Sequence, residues 1–515
     1  MSTAAAAAKL VRNTLANGVG GVISILVGLF LTPFMIARLG LTAYGVWTLS
    51  LTLAFSGGYG SLVDFGVEGA TVRFVAEATG EEDLGAVNST VATTLLLFCA
   101  IAAVLAPAAV LLAHPLVALF GVPRDLHNAA VLCFSLVGAS LAFELPARAF
   151  VAVLEGTQTY IVFQAVELAR TLLLAALFVF VLLEGWGIAA LGAAWLATAL
   201  CILVVYWVLA RRAVPGLNTS PVHARRVELR RLVRFGGGVF TLRFVGTIYR
   251  QMDKVIVGIA LGPSSVALYE IASKLNLAAA TIASTSVSAI VPAAAFARRN
   301  AAVLRDMFVR GTCYATAAAL PVVVAGFIFA KPLIISWIGP EAAPAVEGAR
   351  LFLAYEAMQV VGNVGSTMLF GVGKIRFPLI VNSVATALNL VLSILLVGPL
   401  GYSGVIVGTL IANGLAWPLT MRFYLRTFDT SPGMWLRRVL GPNLFGLATQ
   451  VAVSLPLLAL AGSTHSLPLA IAVCTVSLAV SLATFVLVGV RGEHRRALVD
   501  TVRRALGRAP REVPA

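Results

Sequence analysis

Arg243, Thr247, Arg250 and Lys254 follow one another at helical spacing within the apolar run "FTLRFVGTIYRQMDKVIVGIALG". At about 100° per residue all four fall within about 60° of a helix circumference. At about 1.5 Å per residue the stripe is about 16 Å long, half the thickness of a bilayer's hydrocarbon. Three cations on one face of an apolar helix suit an anion. A guanidinium offers a planar fork of donors that matches phosphate oxygens, and an ammonium adds a point charge. Asp253 stands about 80° off the stripe, beside Lys254 and one turn from Arg250, and neutralises one cation at most. Two readings of the stripe compete. In one, Asp253 pairs with Arg250 or Lys254, and acids on neighbouring helices pair with the rest: Glu144 near Arg148, Glu167 near Arg170, and Glu270 near Lys274. In the other, the stripe is the cationic wall of a water-filled cavity to which Arg170 and Lys274 contribute, with Asp253 and Glu270 tempering it or relaying a proton. A charge at the bilayer centre costs about 2.5–3.5 kcal/mol on insertion scales, so these positions are functional candidates.

Polar side chains form further stripes. Glu356, Gln359, Asn363 and Thr367 share one helical face, and Asn382, Thr386, Asn389 and Ser393 share another. Hydrogen bonding between helices explains stripes of this kind. Lining of a lumen by Glu356, Gln359, Asn363, Asn382 and Asn389 is the functional alternative. Asp64 sits at the end of the second apolar segment as a candidate cap or gate. The sequence holds no GxxxxGK[ST], HExxH, GxSxG or CxxC. Its five cysteines lie in apolar stretches and read as small core residues. No enzyme chemistry, cofactor or metal site is expected.

The elements that must hold these residues are membrane spans. The 515 residues are 60% hydrophobic and 11% charged, where a soluble domain is about 25% charged. Apolar segments of spanning length recur from about residue 13 to residue 490, about fourteen in all, which describes an all-α integral membrane protein. The net charge of +15 sits in short loops and at the C-terminus, as topology-setting charge does, and excludes a nucleic-acid footprint. Most of the 37 Lys and Arg fall on one side of the fourteen-span layout, which places both termini in the cytoplasm.

The chain also repeats itself. "HPLVALFGVP" (114–123) matches "KPLIISWIGP" (331–340), Gly156 matches Gly373, and "LGLTAYGVW" (39–47) matches "LGPSSVALY" (261–269). The expected organisation is therefore an N-lobe of six helices (1–210), a basic cytoplasmic linker (211–234), a C-lobe of six helices (235–425), two appended helices (426–490) and a basic tail (491–515). Parallel repeats of this kind describe a transporter with a cleft between its halves. In the linker, "ARRVELRRLVRF" reads as a short amphipathic helix on the anionic leaflet.

Three stretches carry a family resemblance: "LGLTAYGVWTLSLTLAFSGGYGSLVDFGVEGATVRFVAE", "YRQMDKVIVGIALGPSSVALYEIASKL" and "GVGKIRFPLIVNSVATALNLVLSILLVGPLGYSGVIVGTLIAN". Over residues 10–425 the chain resembles the Wzx-type flippases, the polysaccharide-export branch of the multidrug/oligosaccharidyl-lipid/polysaccharide exporter superfamily. The resemblance implies a two-lobed flippase of fourteen helices in the bacterial inner membrane. It would move undecaprenyl-diphosphate-linked oligosaccharide between leaflets by alternating access. The implied partners are that substrate, membrane lipids, and the polysaccharide polymerase and chain-length machinery. A lipid II flippase and a drug/cation antiporter of the same superfamily are the alternatives. A cation exporter wants acidic rather than basic lumen residues. A membrane-embedded glycosyltransferase would need a larger extracytoplasmic loop than the spans leave.

Overall fold

Apolar helices dominate the computed structural model, as the recurrent spans require, and no strand occurs among the described residues. The structure describes residues 3–489 apart from 286, 288, 289, 375 and 463–465. Within its helices, the side chains of 3–20, 22, 238, 239, 241–243, 245, 249, 250, 285, 292, 461 and 462 are not described. Arg243, Arg250 and the basic tail 491–515 therefore lie outside the described side chains or residues. By packing, the chain divides into two compact units: Met1–Glu270 with Ser393–Val405, and Ile271–Leu392 with Ile406–Ala515.

The first unit contains α1 (Thr3–Ser50), α2 (Val67–Gly80), α3 (Leu84–Leu119), α4 (His127–Ala139), α5 (Leu141–Gly156), α6 (Tyr160–Leu183), α7 (Gly187–Ala213), α8 (Arg226–Leu261) and the start of α9 (Pro263–Thr285). Two apolar clusters hold it together. One gathers Phe74, Phe98, Leu145 and Leu232, and the other Val75, Phe150, Val151 and Tyr206. Their small and branched residues let helices pack tightly where lipid offers no hydrophobic drive between them. The "ARRVELRRLVRF" stretch is not a separate surface helix. It is the first three turns of α8, and it docks on protein. Leu232 is fully buried, Arg231 pairs with Glu77 at 3.1 Å and lies 3.9 Å over the Phe74 ring, and Arg73 lies 4.7 Å over Phe235. Its Leu232 and Phe235 pack on α2 and α3.

Gly40 turns α1 sharply, with φ 77° and ψ 166°, so α1 is two helices in one run. Gly262, its counterpart in the internal repeat, joins α8 to α9 with φ 81° and ψ 177°. Such φ values are open to glycine and costly for any residue with a Cβ. Two residues beyond each glycine, the hydroxyls of Thr42 and Ser264 meet at 2.8 Å. Repeat-related positions thus share a backbone conformation and touch one another.

The second unit contains the rest of α9, then α10 (Ile290–Phe296), α11 (Ala301–Ile328), α12 (Ala330–Trp337), α13 (Ala345–Val372) and most of α14 (Arg376–Thr427), itself two helices joined at Gly401. It closes with α15 (Pro432–Trp435), a π-helical turn at Leu436–Leu440, α16 (Gly441–Gly462), α17 (Leu467–Thr484) and a second π-helical turn at Phe485–Gly489. Small polar residues tie α16 to α17, with Ser454 and Ser477 hydroxyls at 2.7 Å and Thr449 and Thr484 at 3.1 Å.

Ten helical stretches among the described residues are long and apolar enough to cross a membrane, which makes this a multi-pass membrane protein. One of the ten, Arg376–Thr427, covers two of the expected spans, and Ile23–Ser50 runs from the first expected span into the start of the second. α13 is not among the ten, because Glu356, Gln359 and Asn363 lower its hydropathy, and α8 is described only in part.

Candidate functional site

The second expected span is broken. Helix α1 stops at Ser50, the backbone runs irregularly from Leu51 to Gly66 with one 3-10 turn at Tyr59–Leu62, and α2 resumes at Val67. The sequence "SGGYG" permits this course. A Cβ on Gly58 would lie 2.5 Å from the carbonyl oxygens of Leu51, Thr52 and Ala54. Irregular backbone at membrane depth is tolerated only where protein buries it or water lines it. Here its polar groups find protein. Tyr59 N–H donates to Thr52 O at 2.7 Å, Phe55 N–H donates to Glu144 Oε2 at 3.1 Å, and the Gly57 carbonyl accepts from the Gln251 amide. Asp64, expected as a cap or gate, is fully buried. Its Oδ1 accepts from Gly66 N–H at 3.0 Å, closing the turn that starts α2 through positive φ at Phe65 and Gly66. Gly58→Ala is expected to cost about 1–3 kcal/mol by overpacking, read as a fall in the melting midpoint of the purified protein.

A buried ion cluster grips one side of the break. Arg170 on α6 reaches Ser56 Oγ at 3.1 Å, Glu144 Oε1 at 3.4 Å and Glu167 Oε2 at 3.5 Å, and lies 5.5 Å over the Trp195 ring. Arg148 on α5 pairs with Glu68 at 3.6 Å and lies 4.7 Å over Phe55. Tyr206 on α7 donates to Glu167 Oε1 at 2.6 Å. Two bases face three acids, and five of the six groups come from α5, α6 and α7. Positions four apart on α5 (144, 148) and three apart on α6 (167, 170) put each acid and base on one face of its helix.

A second cluster grips the other side. Lys254 on α8 pairs with Glu270 on α9 at 2.6 Å, and Tyr269 donates to Asp253 Oδ2 at 3.3 Å. Asp253 is 4% exposed, and Tyr59 of the break lies within its electrostatic reach. Gln251, two residues earlier, holds Gly57. Asp253 was expected to pair with Arg250 or Lys254; Lys254 pairs with Glu270, the Arg250 side chain lies outside those described, and Tyr269 is one donor to Asp253. Thr247, on the same stripe, is buried. Arg243 and Arg250 lie on α8, with side chains outside those described.

The structure therefore gathers Arg170, Asp253, Lys254, Glu270 and Asp64 around or beside the break in the first unit. The acids that the sequence offered to the α8 stripe divide: Glu270 serves it, whereas Glu144 and Glu167 serve Arg170. Ser56, Gly57, Tyr59 and Gln251 were missed. The paired glycines inside an apolar segment were their available signal.

The remaining candidates belong to the second unit. Lys274 is half-buried on α9, one turn beyond Glu270. Glu356 on α13 is 7% exposed and makes no ion pair among the described residues. Gln359 donates to Tyr355 Oη at 2.6 Å, and Asn363 donates to Ala283 O at 3.5 Å. The stripe on α14 splits. Asn389 is fully buried, with its Oδ1 accepting from Thr409 at 3.1 Å, and so serves helix packing. Asn382 is exposed, and its carbonyl accepts from Thr386. No group of His, Cys, Asp and Glu among the described residues is placed to hold a metal ion.

The family described as Polysaccharide biosynthesis protein matches residues 35–347, more than half of the chain. No curated protein matches the sequence. Among solved structures, the chain is similar to the lipid II flippase MurJ in an inward closed conformation, with a TM-score of 0.68 at 14% identity, covering 96% of this chain and 100% of that one. It is similar to an inward-facing multidrug resistance MATE family transporter of the MOP superfamily, with a TM-score of 0.62 at 16% identity, covering 81% and 94%. It is also similar to a MOP superfamily transporter from Pyrococcus furiosus whose binding pocket is described as of reverse polarity, with a TM-score of 0.59 at 16% identity, covering 82% and 95%. The chain thus shares its fold with these solved transporter structures.

Proposed function

The chain belongs to the Polysaccharide biosynthesis protein family, and from that premise we propose that it is a flippase for a diphosphate-linked oligosaccharide lipid of the bacterial inner membrane, serving polysaccharide assembly. The observation that carries this reading is the charged cluster held by α8 and α9 against a broken spanning helix. A lipid diphosphate must take its negative charge through a low-dielectric layer, and cations inside the protein replace the water it leaves. Arg243, Arg250 and Lys254 stand at helical spacing to do so, and Arg170 and Lys274 add positive charge. Gln359, Asn363 and Asn382 supply hydrogen-bonding groups for sugar. Asp253, Glu270 and Glu356 are the candidates for coupling transport to an ion gradient, since an intramembrane carboxyl is a proton or cation relay by default. The distribution of basic residues supports both termini in the cytoplasm.

Lipid II is the second reading, favoured by the similarity to MurJ along nearly the whole chain. Reconstituted vesicles distinguish the two. Protein in proteoliposomes is expected to move a fluorescent undecaprenyl-diphosphate oligosaccharide faster than lipid II. Arg250→Ala is expected to slow the first about tenfold, the loss of one charge-assisted contact. Rates no higher than in empty vesicles would overturn the function, and an unchanged rate in Arg250→Ala would remove the stripe from the substrate's path.

A further inference from the structure

The second unit holds a cavity of about 550 Å3 where α11, the π-helical turn 436–440, α16 and the π-helical turn 485–489 converge. Its rim carries Arg310, Arg437 and Arg438 against a single acid, Asp306. Asp306 binds Arg310 one turn away at 2.5 Å. Arg437 and Arg438 are exposed and make no ion pair among the described residues. The cavity thus presents more guanidinium than it neutralises.

The backbone around it is unusual in a consistent way. π-Helix accounts for well under about 1% of residues in proteins, and single π turns concentrate at functional sites. Here two such turns line one cavity. The wider turn brings successive side chains closer in direction than an α-helix does, so the adjacent Arg437 and Arg438 both reach the same space. The first π turn is built in by a buried amide: Asn443 Nδ2 donates to Val439 O at 2.7 Å and to Cys313 O at 3.3 Å, fastening the turn to α11.

The inner wall is apolar. Cys313 and Phe485 are buried, and Tyr314 stands edge-on to Phe485 at 6.3 Å. On the flanks of the same elements, Leu436, Leu444, Leu487 and Val488 are exposed. A charged rim above an apolar wall fits an amphiphile. A soluble anion would use the arginines alone and leave the wall idle.

We propose that this cavity is a binding site for the phosphoryl headgroup of an anionic phospholipid, held by Arg310, Arg437 and Arg438, with an acyl chain along the outer faces of α16 and the 485–489 turn. The site is distinct from the charged cluster of the first unit and does not depend on which lipid is transported. Basic pockets between spanning helices are suited to such headgroups.

The test is native mass spectrometry of the full chain released from detergent with phosphatidylglycerol or phosphatidylcholine. The wild type is expected to retain phosphatidylglycerol about tenfold better, from two guanidinium contacts. Arg437→Gln/Arg438→Gln is expected to retain both lipids alike, while Arg298→Gln/Arg299→Gln, exposed arginines outside the cavity, leaves the preference intact. Melting midpoints with each lipid follow the same order. Undiminished retention in the 437/438 variant, or equal loss in the 298/299 variant, would overturn the proposal, the latter by reducing it to diffuse surface charge. Displacement of phosphatidylglycerol by inorganic phosphate would overturn the lipid assignment. Displacement by an equal concentration of a polyprenyl diphosphate would overturn it in favour of a substrate route.

Discussion

Arg170→Ala is expected to abolish transport and to lower the melting midpoint of the purified protein by at least about 5 °C. The guanidinium touches Ser56 in the break, Glu144 on α5 and Glu167 on its own helix, and covers Trp195. Its removal takes the nearest base from Glu144 and Glu167 and leaves Arg148 to serve them along with Glu68, and breaking one partner of a buried pair costs about 3–5 kcal/mol. It also frees Ser56, so the irregular backbone loses a tie on that side. Arg170→Met/Glu144→Gln separates the two consequences. With acid and base both removed, apolar packing is expected to recover most of the midpoint. Transport is expected to stay low, because Glu144 no longer accepts from Phe55 N–H as a carboxylate and the break is no longer held. Wild-type transport by the double variant would make the cluster scaffolding alone. Arg170→Lys keeps the charge but loses the fork, and falls between the two.

The break is where sequence reading and structure part. Hydropathy carried the second span straight on to about residue 63, because "LTLAFSGGYGSLV" stays apolar enough and glycine is common in membrane helices. What decides the matter lies elsewhere in the chain: Glu144, Arg170 and Gln251 offer side-chain partners to a backbone that would otherwise have to satisfy itself. Such compensation depends on which helices are neighbours, and spacing along one helix does not reveal that. The kinks at Gly40 and Gly401 were legible as span boundaries, since a new apolar segment begins after each. The long α8 was legible only in part. The sequence separated its basic start from its spanning body at Gly236–Gly238, yet the helix runs through these glycines and Leu232 is buried.

The candidate site shows the same division. Pairs within one helix, such as Glu167 with Arg170, follow from a period of about 3.6 residues. The pair of Lys254 with Glu270 was nearly as legible, because both residues flank the Gly262 turn and must come back together. The contact of Asp253 with Tyr269 was not, since a tyrosine in an apolar segment gives no sign of its acceptor. Asn389 and Asn382 look alike in sequence. One is sealed between helices and the other is exposed, and only the neighbouring Thr409 tells them apart.

Lys254→Glu is expected to abolish export. It sets a carboxylate where Nζ now lies 2.6 Å from Glu270 Oε2, next in sequence to Asp253, so three acids share a site that held one base. Like charges at that distance in a medium of low dielectric repel by several kcal/mol, on the order of the Coulomb energy at an effective dielectric constant of about 20. The charge swap Lys254→Glu/Glu270→Lys restores the pair across α8 and α9, and its melting midpoint is expected to return to within about 2 °C of wild type. If Lys254 acted only as a structural partner, export would return with it. A cation on the α8 stripe does more: it stands in line with Arg250 and Arg243 at the spacing an anion would meet. The swap moves that charge to α9 and breaks the line. The expected result is a folded, membrane-inserted protein that exports little. Wild-type export by the swapped protein would show that the position of the positive charge is immaterial, and would take Lys254 out of the substrate's path while leaving its role in joining the two helices intact.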